Sequence, residues 1–271
     1  MMNEETSVEE TTRGADAVEV VRNWFQSNGL ALLIVGALVV VWQVVATTDG
    51  RGNVFLPTPT FTVNQVMASQ SEVVNAIRIT TTEVLLGFTV AVVVGITLGI
   101  LVAEVATVRQ FMFPTIILGY SMPHAILAPV FIIWFGNGFV SAALFIGWIA
   151  FFVVLINTIT GINQMSDEFD DLGSVLGASK WQMIRKIKFW EALPHIANGV
   201  KIAALQSVVA AIIIEFLGGQ QGLGWYIINA VDLGQTGLLF GVLFIIMVFA
   251  LTFFKTVELL LERLTPDPMD V

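Results

Sequence analysis

The sequence predicts an all-α polytopic membrane protein with six transmembrane helices. Of its 271 residues, 56% are hydrophobic and only 12% are charged, about half of the roughly 25% charged residues of a soluble domain. The apolar residues form six runs that approach or exceed the length of about 20 residues that a helix needs to cross a bilayer. The predicted spans are residues 30–46, 80–104, 111–135, 140–162, 196–217 and 238–261.

The spans and their loops form one domain flanked by two tails. We expect residues 1–29 to be an acidic cytoplasmic tail, residues 30–264 the transmembrane domain, and residues 265–271 a C-terminal tail. The net charge of −9 reflects either the acidic tail alone or a salt-rich cytoplasm, in which surplus acid keeps surfaces hydrated. The chain has no cysteine, which excludes disulfides and thiolate metal sites.

The basic residues predict that both termini lie in the cytoplasm (N-in/C-in). Cytoplasmic loops of membrane proteins carry an excess of Lys and Arg. With the N-terminus inside, only Arg51 and Arg78 of the 12 Lys and Arg residues fall outside. The opposite orientation would place most of them outside.

Two outer segments are expected to be more than simple loops. Before the second span, Pro57 and Pro59 oppose a regular helix before Thr60. The apolar positions of residues 61–77 then predict an amphipathic helix along the outer interface. Between the fifth and sixth spans, a glycine-broken segment predicts a short helix around residues 225–231.

Glycine recurs in the second span at Gly87, Gly95 and Gly99. Small residues at such spacing let two helices approach closely in lipid. We favour tight packing within the subunit over a contact between two copies.

The polar insert at residues 167–196, between the fourth and fifth spans, is too long for a simple turn. Gly177 marks a break, and Ser179 is placed to cap a helix that Pro194 is expected to end. The spacing alone allows two interpretations. The insert either docks on a partner protein or lies on lipid headgroups.

Three triplets in this insert resemble the EAA loop of ABC importer permeases. D-L-G stands at the E-A-A positions, G-A-S follows at the loop's glycine, and A-L-P closes the loop. The first triplet is degenerate, because Asp replaces Glu while Leu and Gly replace the two alanines. The matching residues are Asp171, Leu172, Gly173, Gly177, Ala178, Ser179, Ala192, Leu193 and Pro194.

Three further motifs resemble the nitrate, sulfonate and taurine branch of that family. FLPTPT at residues 55–60 resembles the opening of the outer segment. PHAILAPVFIIWFGNG at residues 123–138 resembles the third-span motif, and EFLGGQQGLGWYI at residues 215–227 resembles the motif after the fifth span. Four motifs in this order indicate the permease subunit of an ABC importer.

The resemblance implies that the insert is a coupling-helix pair, with Trp181 on the helix that docks into a separate ATPase subunit. It implies a complex of two permease copies and two ATPase subunits. An external solute-binding protein would dock on residues 50–77 and 218–235. The solute would be a nitrate-, sulfonate- or taurine-like anion or an organic solute resembling a thiamine precursor.

ATP and Mg²⁺ would bind the partner, because this chain has no Walker A pattern. We therefore expect a non-catalytic transport subunit that binds no cofactor of its own. It would be a multi-pass protein of the cell membrane, surrounded by lipid and without a nucleic-acid partner.

Three acidic residues, Glu83, Glu104 and Glu215, lie in or beside spans, where carboxylates are costly and often functional. We expect Glu104 to pair with Arg109 and Glu83 to reach water at the outer interface. We expect Glu215 to serve an outer gate or helix packing, together with the glycines of its motif, Gly222 and Gly224. An alternative function is a secondary, proton-coupled transporter that uses the three carboxyls as relays, although no inverted repeat is visible.

The remaining polar residues of the spans are candidates for lining a solute pathway. His124 lies in the third span, where prolines loosen the helix. For most of the others, hydrogen bonds between helices are the favoured interpretation. Two histidines without cysteine predict no metal site. The pathway candidates are Pro123, His124, Pro129, Asn157, Gln206 and Ser207.

Overall fold

The computed structural model describes residues 29–30, 33–48, 53–164, 175 and 177–264, and these residues form helices and connecting turns without a strand. The helices occur in the order predicted by the apolar runs. They are α1 (Leu33–Thr48), α2 (Pro59–Ala68), α3 (Gln70–Glu104), α4 (Ala106–Ser121), α5 (His124–Phe135), α6 (Phe139–Asn163), α7 (Lys180–Gly218), α8 (Leu223–Asp232) and α9 (Thr236–Glu262).

Four of these helices, α3, α6, α7 and α9, are long and apolar enough to cross a membrane. The pair formed by α4 and α5 would add a fifth span if its two halves cross together. Helix α1 is apolar but shorter than these. The described residues thus show four or five candidate spans where the sequence predicts six. We refer to the two ends of the bundle as the predicted outer end and the predicted inner end.

The third predicted span, residues 111–135, is divided between two helices. Helices α4 and α5 meet at an angle of 99°. Met122 and Pro123 lie between the two helices, and Met122 has the extended backbone angles φ −69° and ψ 133°. A proline disfavours the helical conformation at the residue before it, and here the chain turns at Met122.

The predicted interfacial helix at residues 61–77 is also corrected. Helix α2 starts at Pro59, where a proline is tolerated in the first turn, and Phe61 N donates to the capping Thr58 Oγ1 at 3.2 Å. From Gln70 the chain already belongs to α3, whose 35 residues extend about 52 Å at 1.5 Å per residue. Helix α3 therefore projects beyond the roughly 30 Å hydrocarbon core.

Helix α6 is the centre of the bundle and packs between α3 and α7. Its buried side chains include Phe145, Ile146 and Leu155, and each of these is fully enclosed. Helix α9 packs outside this layer, where Phe253 meets Phe88 of α3 with ring centroids 5.3 Å apart.

The glycines of α3 lie at its contact with α6, which confirms the packing predicted within the subunit. A Cβ atom added at Gly87 would lie 2.7 Å from the carbonyl oxygen of Ala143. Cβ atoms added at Gly95 and Gly99 would lie 2.9 and 2.6 Å from the Cβ atoms of Val154 and Thr158, respectively. Such distances leave no room for a side chain.

The short helix predicted after the fifth span is present as α8. Its first residue, Leu223, is fully buried. Helix α2 packs on α9 at a further glycine contact, because a Cβ added at Gly241 would lie 2.1 Å from Val66 Cγ2. These contacts anchor both non-spanning helices, α2 and α8, at the predicted outer end.

We expect Gly99→Ala to destabilise the protein by about 1–3 kcal/mol, because the added methyl group overpacks the contact with Thr158. The measurement is thermal unfolding in detergent, followed by tryptophan fluorescence. Gly36 is the matched control, since nothing lies within 4 Å of a Cβ added there. Gly36→Ala should leave stability unchanged or raise it, because alanine favours a helix over glycine by about 1 kcal/mol. Equal effects of the two substitutions would contradict the packing role of Gly99.

Candidate functional site

The predicted coupling segment begins with a sharp turn at Gly177. Its φ is +67°, a left-handed conformation that glycine adopts without steric cost. Ser179 then caps α7, as the sequence predicts. Gln182 N donates to Ser179 Oγ at 3.3 Å, and Ser179 N donates to Gln182 Oε1 at 2.8 Å. This reciprocal capping box fixes the residue at which the helix starts.

Large apolar side chains remain exposed in the first turns of α7. Trp181 is 67% exposed and Trp190 is 54% exposed. Together with Ile184 and Phe189 they line a cavity of about 410 Å³. An exposed apolar cluster of this kind marks an interaction surface. We call Trp181, Ile184, Phe189 and Trp190 the coupling surface.

Pro194 does not end this helix, contrary to the prediction. Helix α7 is continuous from Lys180 to Gly218, and it includes Leu193, Pro194 and one π-helical turn at Ile184–Lys188. Packing against α6 holds the helix through the proline. A Cβ added at Gly161 of α6 would lie 2.8 Å from His195 Cβ and 3.1 Å from the carbonyl oxygen of Ala192. The coupling surface and a membrane span therefore belong to one helix.

The structure describes only some of the other residues of the predicted coupling motif. Ala178 is half-buried beside the turn. Asp171, Leu172 and Gly173 lie outside the described residues.

Glu104 pairs with Lys188 and not with Arg109, which corrects the predicted pair. Lys188 Nζ lies 3.0 Å from Glu104 Oε1, and both side chains are largely buried. Arg109 instead donates to Asn163 Oδ1 at 3.5 Å. The ion pair ties the predicted inner end of α3 to the π-helical turn of α7.

A second polar cluster surrounds Glu215 at the predicted outer end. Thr80 Oγ1 donates to Glu215 Oε1 at 2.6 Å, and Gly224 N donates to Glu215 Oε2 at 2.7 Å. Leu223 N donates to Thr80 Oγ1 at 3.0 Å. Each oxygen of this carboxyl therefore has a donor, which buried polar groups require. The bonds join α3, α7 and α8.

Two glycines leave room for the Glu215 side chain. Gly222 has φ +96°, and a Cβ added there would lie 2.3 Å from the carboxyl carbon of Glu215. A Cβ added at Gly224 would lie 2.8 Å from Glu215 Cβ. The geometry accounts for a glutamate followed by glycines at this spacing and supports the predicted packing role.

Glu83 lies beside Glu215 and is more enclosed than its predicted position at the outer interface implies. It is only 5% exposed, and its carboxyl group interacts with that of Glu215. Glu83 Oε2 has no hydrogen-bond partner among the described residues. A buried carboxyl oxygen without a donor is costly, and it marks a functional candidate.

Both carboxyl residues line a cavity of about 380 Å³. Helix α3, the turn between α5 and α6, and the residues after α7 enclose it. Its polar lining residues include Asn75, Arg78, Asn137, Gln220 and Gln221.

The structure places the predicted pathway residues at the bend before α5 and on helices α5, α6 and α7. Asn157 Nδ2 donates to Val153 O and Ser207 Oγ donates to Ala203 O, both within their own helices. His124 lies at the bend after Pro123, and its Nδ1 has no partner among the described residues. In this part of the chain no hydrogen bond joins any two of His124, Asn157, Gln206 and Ser207. Pro129 lies inside α5, and Gln206 is half-buried in α7.

Sequence reasoning missed the parts played by Thr80 and Lys188. Thr80 precedes Glu83 by three residues and Gly87 by seven, so the three share one face of α3, and this periodicity was an available signal. Nothing in the sequence identified Lys188 as the partner of Glu104. Within the described ranges, no group of three or more His, Asp or Glu residues is placed to hold a metal ion.

Comparison with known proteins agrees with this architecture. Residues 95–267 match the family described as "Binding-protein-dependent transport system inner membrane component". A solved structure of the MetNI methionine ABC transporter, in inward-facing conformations, is similar in fold. The TM-score is 0.65 at 16% identity, covering 73% of this chain and 99% of that one.

Two relatives cover most of this chain. The riboflavin transport system permease protein of Chloroflexus aurantiacus is 31% identical over 84% of this chain and 85% of its own length. The taurine transport system permease protein of Escherichia coli is 27% identical over 90% of this chain and 92% of its own length. The resemblance stated from the sequence is thereby confirmed. The chain belongs to the inner-membrane permease components of binding-protein-dependent ABC importers, and it is a multi-pass protein of the cell membrane.

Proposed function

We propose that two copies of this chain form the translocation pathway for a small solute, which an external binding protein delivers and two ATPase subunits drive inward. The observation that carries this proposal is the continuity of α7. Its 39 residues extend about 58 Å at 1.5 Å per residue. The helix carries the coupling surface near one end and Glu215 near the other.

In this mechanism the ATPase binds the coupling surface, with Trp181 and Trp190 as anchors. Exposed aromatic residues are frequent hot spots of such interfaces. Closure of the ATPase dimer would move the start of α7, and the helix would carry the motion to the cluster around Glu215. The Glu104–Lys188 ion pair makes α3 move with it. The result is alternating access by rigid helices.

The orientation in this proposal is the predicted one, with both termini in the cytoplasm. The coupling surface then faces the cytoplasm, and the cavity beside Glu83 faces the outside. The ATPase partner performs the hydrolysis, and this chain acts as a non-catalytic subunit. The solute belongs to the range of small solutes that the named relatives carry, such as taurine or riboflavin.

Proton-coupled secondary transport is not favoured. Membership of the permease family supports the importer. The geometry also separates the three carboxyls, because Glu104 lies 21 residues after Glu83 on α3, or about 32 Å along the helix. Glu104 is held by Lys188 and does not join the Glu83–Glu215 pair in a relay.

Gly177→Val should abolish association with the ATPase subunit while the permease reaches the membrane at a normal level. A left-handed conformation costs residues with a side chain roughly 1–2 kcal/mol, and β-branched residues resist it most. The turn therefore changes its conformation in the variant. As a result, the anchor residues of α7 no longer lie where the ATPase binds them. Loss of one hot spot, about 2 kcal/mol or more, weakens binding roughly thirtyfold. The measurement is co-purification of the ATPase from membranes.

Gly177→Asn is the matched control, because asparagine visits the left-handed region routinely. It should retain association and transport. Wild-type yield of the ATPase with Gly177→Val would refute the assigned role of this turn.

Lys188→Ala should lower the amount of solute transported per ATP hydrolysed severalfold without loss of the assembled complex. The substitution leaves Glu104 largely buried without its partner and frees α3 from α7, and such a loss costs about 3 kcal/mol or more when the pair is fully buried. The readout is the ratio of solute transported to ATP hydrolysed in proteoliposomes. Lys186→Ala, an exposed neighbour, should behave as wild type. An unchanged ratio with Lys188→Ala would argue against coupling through this pair.

A further inference from the structure

The cavity beside Glu83 combines an enclosed acid with an exposed base. Glu83 and Glu215 are 5% and 3% exposed at its wall. Arg78 lines the same cavity and is exposed, so it lies at the mouth. The guanidinium of Arg78 forms no ion pair with any residue that the structure describes. Among the described residues, the cavity thus has a positive charge without an ion-pair partner at its mouth and carboxyl groups at its wall.

The two carboxyl groups at the wall of the cavity differ in their hydrogen bonds. Thr80 and Gly224 donate to the two oxygens of Glu215, whereas Glu83 Oε2 has no partner among the described residues. The Glu83 and Glu215 carboxyl groups also share a side-chain hydrogen bond, which requires one proton between them. The terminal torsion of a glutamate has a broad rotational profile, so Glu83 can turn an oxygen towards a donor in the cavity.

The volume of the cavity limits the size of the ligand. Arg78 and Glu83 are five residues apart on α3, about 7.5 Å along its axis and about 140° around it, and both line the cavity. A cavity of about 380 Å³ is at the small end of the roughly 300–1,000 Å³ typical of ligand sites. The remaining polar lining, Asn75, Asn137 and the two glutamines after α7, offers amide groups to either end of a ligand.

We propose that this cavity binds a small zwitterionic solute, with its amino group at Glu83 and its acid group at Arg78. An ammonium group supplies the donor that Glu83 Oε2 lacks and places a positive charge beside the Glu83–Glu215 pair. A sulfonate or carboxylate a few atoms away pairs with the guanidinium, which binds planar or multivalent oxyanions well. The proposal rests on the proposed function in one respect, namely that the cavity faces the side from which the solute arrives.

The test uses the purified permease–ATPase complex without any binding protein, so that a binding protein cannot account for the solute that is bound. Taurine and β-alanine are titrated by calorimetry. Ethanesulfonate carries only the acid group and ethylamine only the amino group. We expect at least one of the two zwitterions to bind, and each single-charge compound to bind at least about tenfold more weakly, because each loses one charged hydrogen bond.

Two variants remove one end of the site each. Arg78→Gln, at an exposed position, and Glu83→Gln should each weaken zwitterion binding at least about tenfold. Arg263→Gln and Glu262→Gln make the same chemical changes at exposed positions at the predicted inner end, and they should leave binding unchanged. Should Glu83→Gln fail to fold, Arg78→Gln alone still decides the result.

Three outcomes would overturn the proposal. Neither zwitterion binds, or binding is insensitive to both Arg78→Gln and Glu83→Gln, or ethylamine binds as tightly as the zwitterions and without dependence on Arg78. In each case the complex can still couple ATP hydrolysis to import with its binding protein, so the proposed function would stand. Failure of the ATPase to associate would instead refute the proposed function and leave binding to the permease chain measurable.

Discussion

Close backbone contact at glycines holds α6 between α3 and α7, and the remaining structure depends on it. Helices in lipid gain little hydrophobic free energy from packing against each other, because lipid tails are as apolar as the side chains that line the contact. They gain dispersion energy by approaching closely, and a small residue at the crossing permits that approach. Gly87, Gly95 and Gly99 provide it on α3. At the contact between α6 and α7, Gly161 of α6 and Gly199 of α7 permit the same close approach, and Gly199 lies against Asn157.

This packing explains how a helix that contains a proline remains continuous over its whole length. Pro194 removes one backbone donor from α7 and crowds the preceding turn. In isolation such a residue bends or ends a helix. Here Ala192 is fully buried against Gly161 of α6, and the helix continues. The Glu104–Lys188 ion pair joins the predicted inner ends of α3 and α7, so these two helices contact each other as well as α6.

At the predicted outer end, polar contacts join the same two helices, α3 and α7, to α8. Glu215 accepts hydrogen bonds from Thr80 of α3 and from the backbone of α8, and Gly222 leaves the space that its carboxyl group occupies. A fully bonded carboxyl is structural, whereas the neighbouring Glu83 keeps one oxygen without a donor. The two carboxyl groups therefore have different roles. Glu215 organises the end of the bundle, and Glu83 is left to interact with what enters the cavity.

The amino-acid sequence alone was enough to predict the helical membrane class, the family, the cap at Ser179, the turn at Gly177 and the glycine face of α3. These follow from local chemistry, namely apolar length, capping and the left-handed freedom of glycine, and from motifs that lie within a few dozen residues. The tertiary packing, in contrast, determined that α7 continues through Pro194 and that Glu104 pairs with Lys188 in place of Arg109, which is nearer in the chain. It also decided that Thr80, Glu83 and Glu215 meet. Such outcomes depend on which helices pack together, since the partners lie up to 135 residues apart in the chain, and no local pattern encodes that choice.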